Sequence, residues 1–292
     1  MRPDRLRPVT PLTARDRALL DRLAEHEPLT TSELRLLFFT GERTCRQRLA
    51  QLERAELLLR VYPAAGRRGT GEALWFLTAK ARLLLAAPAR RTPSLSLPDL
   101  EHRRAVARFF CSLVERSLQH PGEGLWCWHG EARAEHGIGG RIRPDGYGRY
   151  LLPNGEVSFY LELDRATEPG KRVGEKLAGY TRALAAVDGR ERANVLLVCN
   201  SQRRLRNLAA HGPAGPPWVW GTTDSQRFQL LPALTEARRF DELPLWSRDP
   251  AHPVSGCLGR RWQSWGRKQW HSKREQPNAA VSTNAPGAEP AR

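Results

Sequence analysis

The stretch that most restricts the fold is residues 142–165, "IRPDGYGRYLLPNGEVSFYLELDR". Two runs with strand character flank Pro153-Asn154-Gly155-Glu156, and Asn-Gly is the strongest short hairpin signal. With Asn154-Gly155 as the two-residue turn, Asp145 falls opposite Asp164 and Glu162 opposite Tyr147. Directly opposed residues share a face and successive residues alternate, so Asp145, Glu162 and Asp164 gather on one side while Leu161 and Leu163 point to the other. A slip of one residue would throw Asp145 to the far face. Three clustered carboxylates repel, and a divalent cation or a basic side chain is needed to neutralise them. The next segment, "EPGKRVGEKLAGYTRALAAV", supplies one. Its helical stripe is Val173, Leu177, Tyr180 and Leu184; Lys176 lies at the margin, about 70° from the stripe centre, within reach of the acids, while Lys171 and Glu175 project away.

Around the hairpin, "LEHRRAVARFFCSLVERSL" reads as a long amphipathic helix opening a new core, with Val106, Phe109, Phe110, Leu113, Val114 and Leu118 on its apolar side. "LWCWHGEA" and "ANVLLVCNS" read as strands, the second as a central one, and "QRRLRNLAAHG" as a short basic helix. "WVWGTT" and "FQLLPAL" are weaker strand candidates. Trp126, Trp128, Trp218 and Trp220 alternate and are expected in the core, and His102 and His129 are expected to be ordinary structural histidines. Residues 99–245 therefore predict an α/β sandwich with a mixed sheet.

Residues 10–86 carry a different pattern. "LTARDRALLDRLAEH" and "LTTSELRLLFF" each open on Thr with an acid three places on, Thr13 with Asp16 and Thr30 with Glu33, which marks two helix starts. The second helix is expected to end near Gly41. A third helix, "ERTCRQRLAQLERA", buries Cys45, Leu49 and Leu52 and turns Arg43, Thr44, Gln47, Gln51 and Arg54 outward, with Arg46 and Arg48 at the flanks. Arg and Gln are the side chains that make bidentate contacts to guanine and adenine edges, and Thr meets phosphate or a thymine methyl. "LLLRVYP" and "EALWFLT" follow as a hairpin whose tip holds Arg67 and Arg68, placed for backbone phosphate. Three helices and a hairpin predict a winged-helix DNA-binding domain; the same arrangement also serves protein–protein contacts.

"AAPARRTPSLSLPD" is Pro- and Ser-rich and aperiodic, which makes 87–98 the expected linker. Residues 246–292 form a basic tail with Trp262, Trp265 and Trp270, expected to be largely disordered, with a Trp-basic part suited either to stacking on bases or to docking as a helix. Lys and Arg number 47 against 31 Asp and Glu, a formal charge of +16. The surplus is +8 in residues 1–92, +3 in 93–246 and +5 in 247–292. Such a balance favours a polyanionic partner such as nucleic acid or an acidic membrane. The five cysteines are widely spaced without a C-x-x-C pair, which argues against a disulfide framework and a structural zinc site. The start of the chain lacks an apolar signal-peptide core and no run approaches a membrane span, so a cytoplasmic protein is expected.

An Asp after Pro at the start of one hairpin strand, "RPDG", and Glu near the end of the next, "LELD", resemble the PD-(D/E)xK nuclease pattern. The sequence departs from it at Asp164, where those nucleases carry Lys, and Lys176 on the neighbouring helix would stand in. Taken with the first ninety residues, "LEHRRAVARFF", "RIRPDG", "FYLELDRATE" and "EKLAGY" resemble the replication-relaxation family of plasmid and mobile-element proteins. That resemblance implies a partner in double-stranded plasmid DNA, and replication or relaxase proteins besides; it leaves homodimerisation open. It also implies two readings of the acidic cluster. In one, the second domain is an accessory module and its acids pair with Arg143, Arg165 or Lys176. In the other, Asp145 and Glu162, with Asp164 completing the shell, hold Mg²⁺ or Mn²⁺, and Lys176 orients or activates water for DNA cleavage. A transcription regulator with a ligand-sensing second domain is a third reading.

Overall fold

The computed structural model describes residues 11–63, 71–85, 96–140, 142–153, 155–185, 187, 192–211 and 219–223. Arg67, Arg68, Trp218, the "FQLLPAL" segment, Cys257 and the tail lie outside the described residues, as does most of the expected linker.

The two Thr–acid signals act as expected. Helix α1 (Ala14–His26) and helix α2 (Thr31–Phe38) both start with reciprocal capping boxes, Thr13 with Asp16 and Thr30 with Glu33. Between them runs a two-residue strand, β1 (Leu29–Thr30). Helix α2 stops at Phe38, short of Gly41, and Gly41 instead caps α3 (Glu42–Arg54). The α3 stripe of Cys45, Leu49 and Leu52 is buried. Strands β2 (Leu58–Val61) and β3 (Leu74–Leu77) pair antiparallel, and β1 adds to the other edge of β3 to give the order β1-β3-β2. A short helix, α4 (Ala79–Leu84), follows with Thr78 as its cap.

Helix α5 (Leu97–Gln119) begins inside the stretch expected as linker. Its predicted apolar side is buried except for Leu118, which is exposed near the helix end. A five-stranded sheet then forms in the order β4-β5-β6-β7-β8, from β4 (Gly124–Gly130), β5 (Gly146–Leu152), β6 (Gly155–Asp164), β7 (Asn194–Cys199) and β8 (Val219–Thr223). The first two pairings are antiparallel and the last two parallel, so the sheet is mixed. The parallel crossovers are made by α7 (Gly170–Ala185) and α8 (Gln202–His211). The last two residues of the "LWCWHGEA" segment do not stay extended: α6 (Glu131–Gly137) starts there.

The hairpin closes on Leu152 paired with Gly155, one step earlier than an Asn154-Gly155 turn would give. The pairing is therefore displaced by two residues: Tyr147 faces Tyr160, not Glu162, and the same register sets Asp145 across from Glu162, not Asp164. An even displacement leaves every side chain on its expected face.

On one face of the sheet, Phe159, Leu161, Leu196 and Val198 pack against α5; on the other, Tyr160, Val195, Leu197 and Cys199 pack against α7 and α8. Gly148 lets α5 approach closely, since a Cβ there would lie 2.6 Å from Phe159 Cζ and 2.9 Å from Phe110 Cε1. The expected second core is present on the α7/α8 face, where Tyr160, Leu177, Tyr180, Val195 and Leu197 form a cluster of their own, but the α5 face is continuous with the amino-terminal core. One apolar cluster runs from Leu19, Leu34 and Leu49 through Phe110 and Trp128 to Phe159 and Leu196. Trp128, fully buried, is the hinge pin of that continuity: it stacks on Phe110 at 4.9 Å and on His26 of α1 at 4.0 Å. Its carbonyl accepts a hydrogen bond from Arg22 at 3.0 Å. The Gly130 N–H donates to Glu25 Oε1 at 2.9 Å, and Arg104 on α5 pairs with Glu33 on α2 at 2.6 Å. Apolar burial and charge pairing thus bind the helical part to the sheet.

Candidate functional site

The C-terminal end of β6, the start of β5 and the amino-terminal parts of α5, α7 and α8 meet at one end of the central strands. In open α/β sheets the crevice outside the carboxyl ends of the strands is where ligands bind. Glu162 and Asp164 share the α7/α8 face of β6, as the alternation requires.

Lys176, at the margin of the α7 stripe, places Nζ 2.6 Å from Glu162 Oε2. One turn on, Tyr180 donates its hydroxyl to Glu162 Oε1. Asp145 sits across the hairpin from Glu162 and accepts from the Leu163 N–H at 2.7 Å through Oδ2. Its other oxygen, Oδ1, is 2.9 Å from His102 Nε2 on α5. Asp145, Glu162, Lys176, Tyr180 and His102 are thus one charged cluster built from four elements.

The electrostatics follow from burial. Glu162 is pushed up to about 8, first by burial and then by the Asp145 charge, against the pull of Lys176 and Tyr180. Burial would lower Lys176, but the Glu162 and Asp145 carboxylates outweigh it and hold the ammonium charged. His102 is raised by its bond to Asp145, and Tyr180 by burial beside Glu162.

Asp164 does not join it. Its carboxylate is held by Arg204 on α8, with Nε at 2.6 Å and Nη2 at 3.2 Å, and it accepts from the Ala166 N–H at 3.1 Å. Ala166 leaves the strand at φ 62, a turn that returns its N–H to the acid. Among the described residues no three His, Cys, Asp or Glu side chains form a metal-binding group. Arg143 and Arg165 do not serve the acids either: Arg143 pairs with Glu131 and Glu135, and Arg165 with Glu101.

Three contributors escaped the sequence pattern. His102 was expected to be structural, Tyr180 was assigned only to the buried stripe, and Arg204 was one of several arginines on a basic helix. Tyr180 alone had a local signal, since it follows Lys176 by four and shares its side of α7.

On α3, Arg43, Thr44, Arg46 and Gln47 are exposed, and Glu42, Arg43, Arg46 and Gln47 line a shallow depression. Arg46 pairs with Glu42 across one turn at 2.5 Å. Gln51 is half-buried and accepts from Arg48 at 2.7 Å, while Arg54 folds back to the Ala50 carbonyl. The outward face is thus concentrated in the first half of α3.

A mixed α/β protein emerges, with a helical amino-terminal part and a carboxylate–lysine cluster at the end of its central strand. Residues 20–197 match the replication-relaxation family, and the chain belongs to that family. No curated protein and no solved structure matches it. Among the described residues no helix is long and apolar enough to cross a membrane.

Proposed function

We propose that this chain is a DNA-binding protein of plasmid or mobile-element replication or relaxation, in which α1 to α3 and the β2–β3 hairpin act as a winged helix and α3 is the reading helix. The observation that carries this is the exposed first half of α3, where Arg43, Thr44 and Gln47 stand on the side opposite the buried Cys45–Leu49–Leu52 stripe. These are the donors that read base edges in the major groove. Family membership and the formal charge of +16 point to the same partner. The test is binding of the full chain to duplex DNA across a salt series. Affinity that falls steeply with salt, and that Arg43→Ala with Gln47→Ala weakens in a sequence-dependent way, supports the reading; binding indifferent to both changes refutes it.

A second reading is favoured by one contact, Lys176 Nζ on Glu162 with Asp145 opposite: a PD-(D/E)xK-like centre that cuts DNA in the presence of Mg²⁺ or Mn²⁺. Asp145 and Glu162 fit such an ion, because Mg²⁺ is commonly held by one or two carboxylates together with substrate phosphate. Asp164, bound to Arg204, does not fit as a ligand. The ion would stabilise charge on the scissile phosphate. Lys176 would orient the attacking water, and Tyr180 would fix the Glu162 carboxylate. Incubating supercoiled plasmid with either ion distinguishes the two: nicking lost in both Asp145→Ala and Glu162→Ala supports cleavage, and no nicking alongside retained DNA binding leaves the sheet domain an accessory module.

A further inference from the structure

The reading face of α3 is rimmed by Arg46 and by two arginines of other helices that no sequence motif singles out. Arg15 lies in the first turn of α1, Arg35 in the last turn of α2 and Arg46 in the second turn of α3, and all three are exposed. The guanidinium carbon of Arg15 sits 4.5 Å over the ring of Phe39, the residue that ends α2, and the Phe39 N–H is bonded to the Arg35 carbonyl at 2.9 Å. Burial pushes the Cys45 thiol up, against the opposing charges of Arg35, Arg15 and Arg46. Three helices therefore bring their arginines to the turn from which α3 starts. Among the described residues Arg46 is the one of them in an ion pair, with Glu42.

The arrangement is held stiffly. Arg48 of α3 makes a two-pronged pair with the buried Asp16 of α1, at 2.9 and 2.6 Å. Asp16 is the next residue after Arg15, so the first turn of α1 cannot drift relative to α3. Stacking on Phe39 also preorients the Arg15 guanidinium before any ligand arrives, which lowers the entropy lost on binding. A planar, permanently charged fork of this kind suits phosphate oxygens. In a duplex, phosphates border both sides of the groove that a reading helix enters, and contacts to them set register without reading sequence.

We infer that Arg15 and Arg35 form a backbone clamp for double-stranded DNA, each engaging a phosphate beside the groove that α3 occupies. The inference rests on the DNA-reading role of α3 and adds residues of α1 and α2 to it.

The test uses the full chain and a fluorescent duplex of random sequence, with affinity measured by anisotropy between about 50 and 200 mM salt. Two lost phosphate contacts should reduce the slope of log K against log salt by about 2 and weaken binding by about tenfold or more. That result is expected for the Arg15→Ala, Arg35→Ala double variant. Arg15→Lys with Arg35→Lys should retain most of the slope, and Arg182→Ala with Arg203→Ala, which removes two exposed arginines from α7 and α8, should leave it unchanged. Thermal melts matching wild type establish that the variants are folded. If wild type binds and the alanine pair keeps the wild-type slope, the clamp is overturned while the role of α3 stands. If wild type shows no salt-dependent binding, both are overturned.

Discussion

Replacing Glu162 by Gln keeps the side-chain shape and removes its charge, and the stability difference between the two proteins should depend on pH with a defined sign. Glu162 is 7% exposed and its folded value is about 8, against 4.5 for a free glutamate. Between those values the folded chain binds a proton that the unfolded chain releases. Stability from this group is complete below the unfolded value and is lost as pH rises through about 8. At roughly 1.4 kcal/mol per pH unit, the interval corresponds to roughly 3–5 kcal/mol. Gln carries no such proton. Lys176 acts in the same direction: deprived of Glu162, its half-buried ammonium is easier to neutralise, which helps the variant at high pH. Thermal melts at pH 5 and pH 9 should therefore show Glu162→Gln gaining on wild type by several degrees, at about 2–4 °C per kcal/mol for a chain of this size. Parallel melting curves across that range would refute the assignment of a buried, proton-holding Glu162.

Other perturbations follow from the packing and from α3. Trp128→Ala should cost about 3–5 kcal/mol and lower the melting temperature of the whole described core as one transition, because the indole joins α1 to the sheet; two separate transitions in calorimetry would contradict the shared core. Gly148→Ala should destabilise by about 1–3 kcal/mol in urea titrations, since its methyl would press on Phe159 and Phe110. Arg43→Ala should weaken binding to a preferred duplex by about 1–3 kcal/mol while leaving random-sequence binding less affected, as competition anisotropy would show.

The capping boxes at Thr13 and Thr30 were legible because both partners lie within one helical turn, where the chain itself fixes the distance. The α7 stripe and the place of Lys176 were legible for the same reason: 3.6-residue periodicity needs no knowledge of the neighbours. The hairpin was half legible. Its strands and faces came out of alternation, but its closing pair did not, since a step of two preserves every face and alters only which residue stands opposite. Asp145 consequently kept its side of the sheet and changed its partner from Asp164 to Glu162.

The capped starts of α1 and α2, the strands of the hairpin, the face each acid occupies and the outward first half of α3 were determined by the sequence alone, because each is a matter of periods and offsets along a single segment. Only the tertiary structure decided that His102 comes to Asp145, that Arg204 takes Asp164 out of the cluster, that Arg15 stacks on Phe39 and that Trp128 joins the amino-terminal core to the α5 face of the sheet. Those contacts join segments far apart in the chain, and they are selected by how whole faces pack and which buried charges must be compensated, quantities that no local pattern carries.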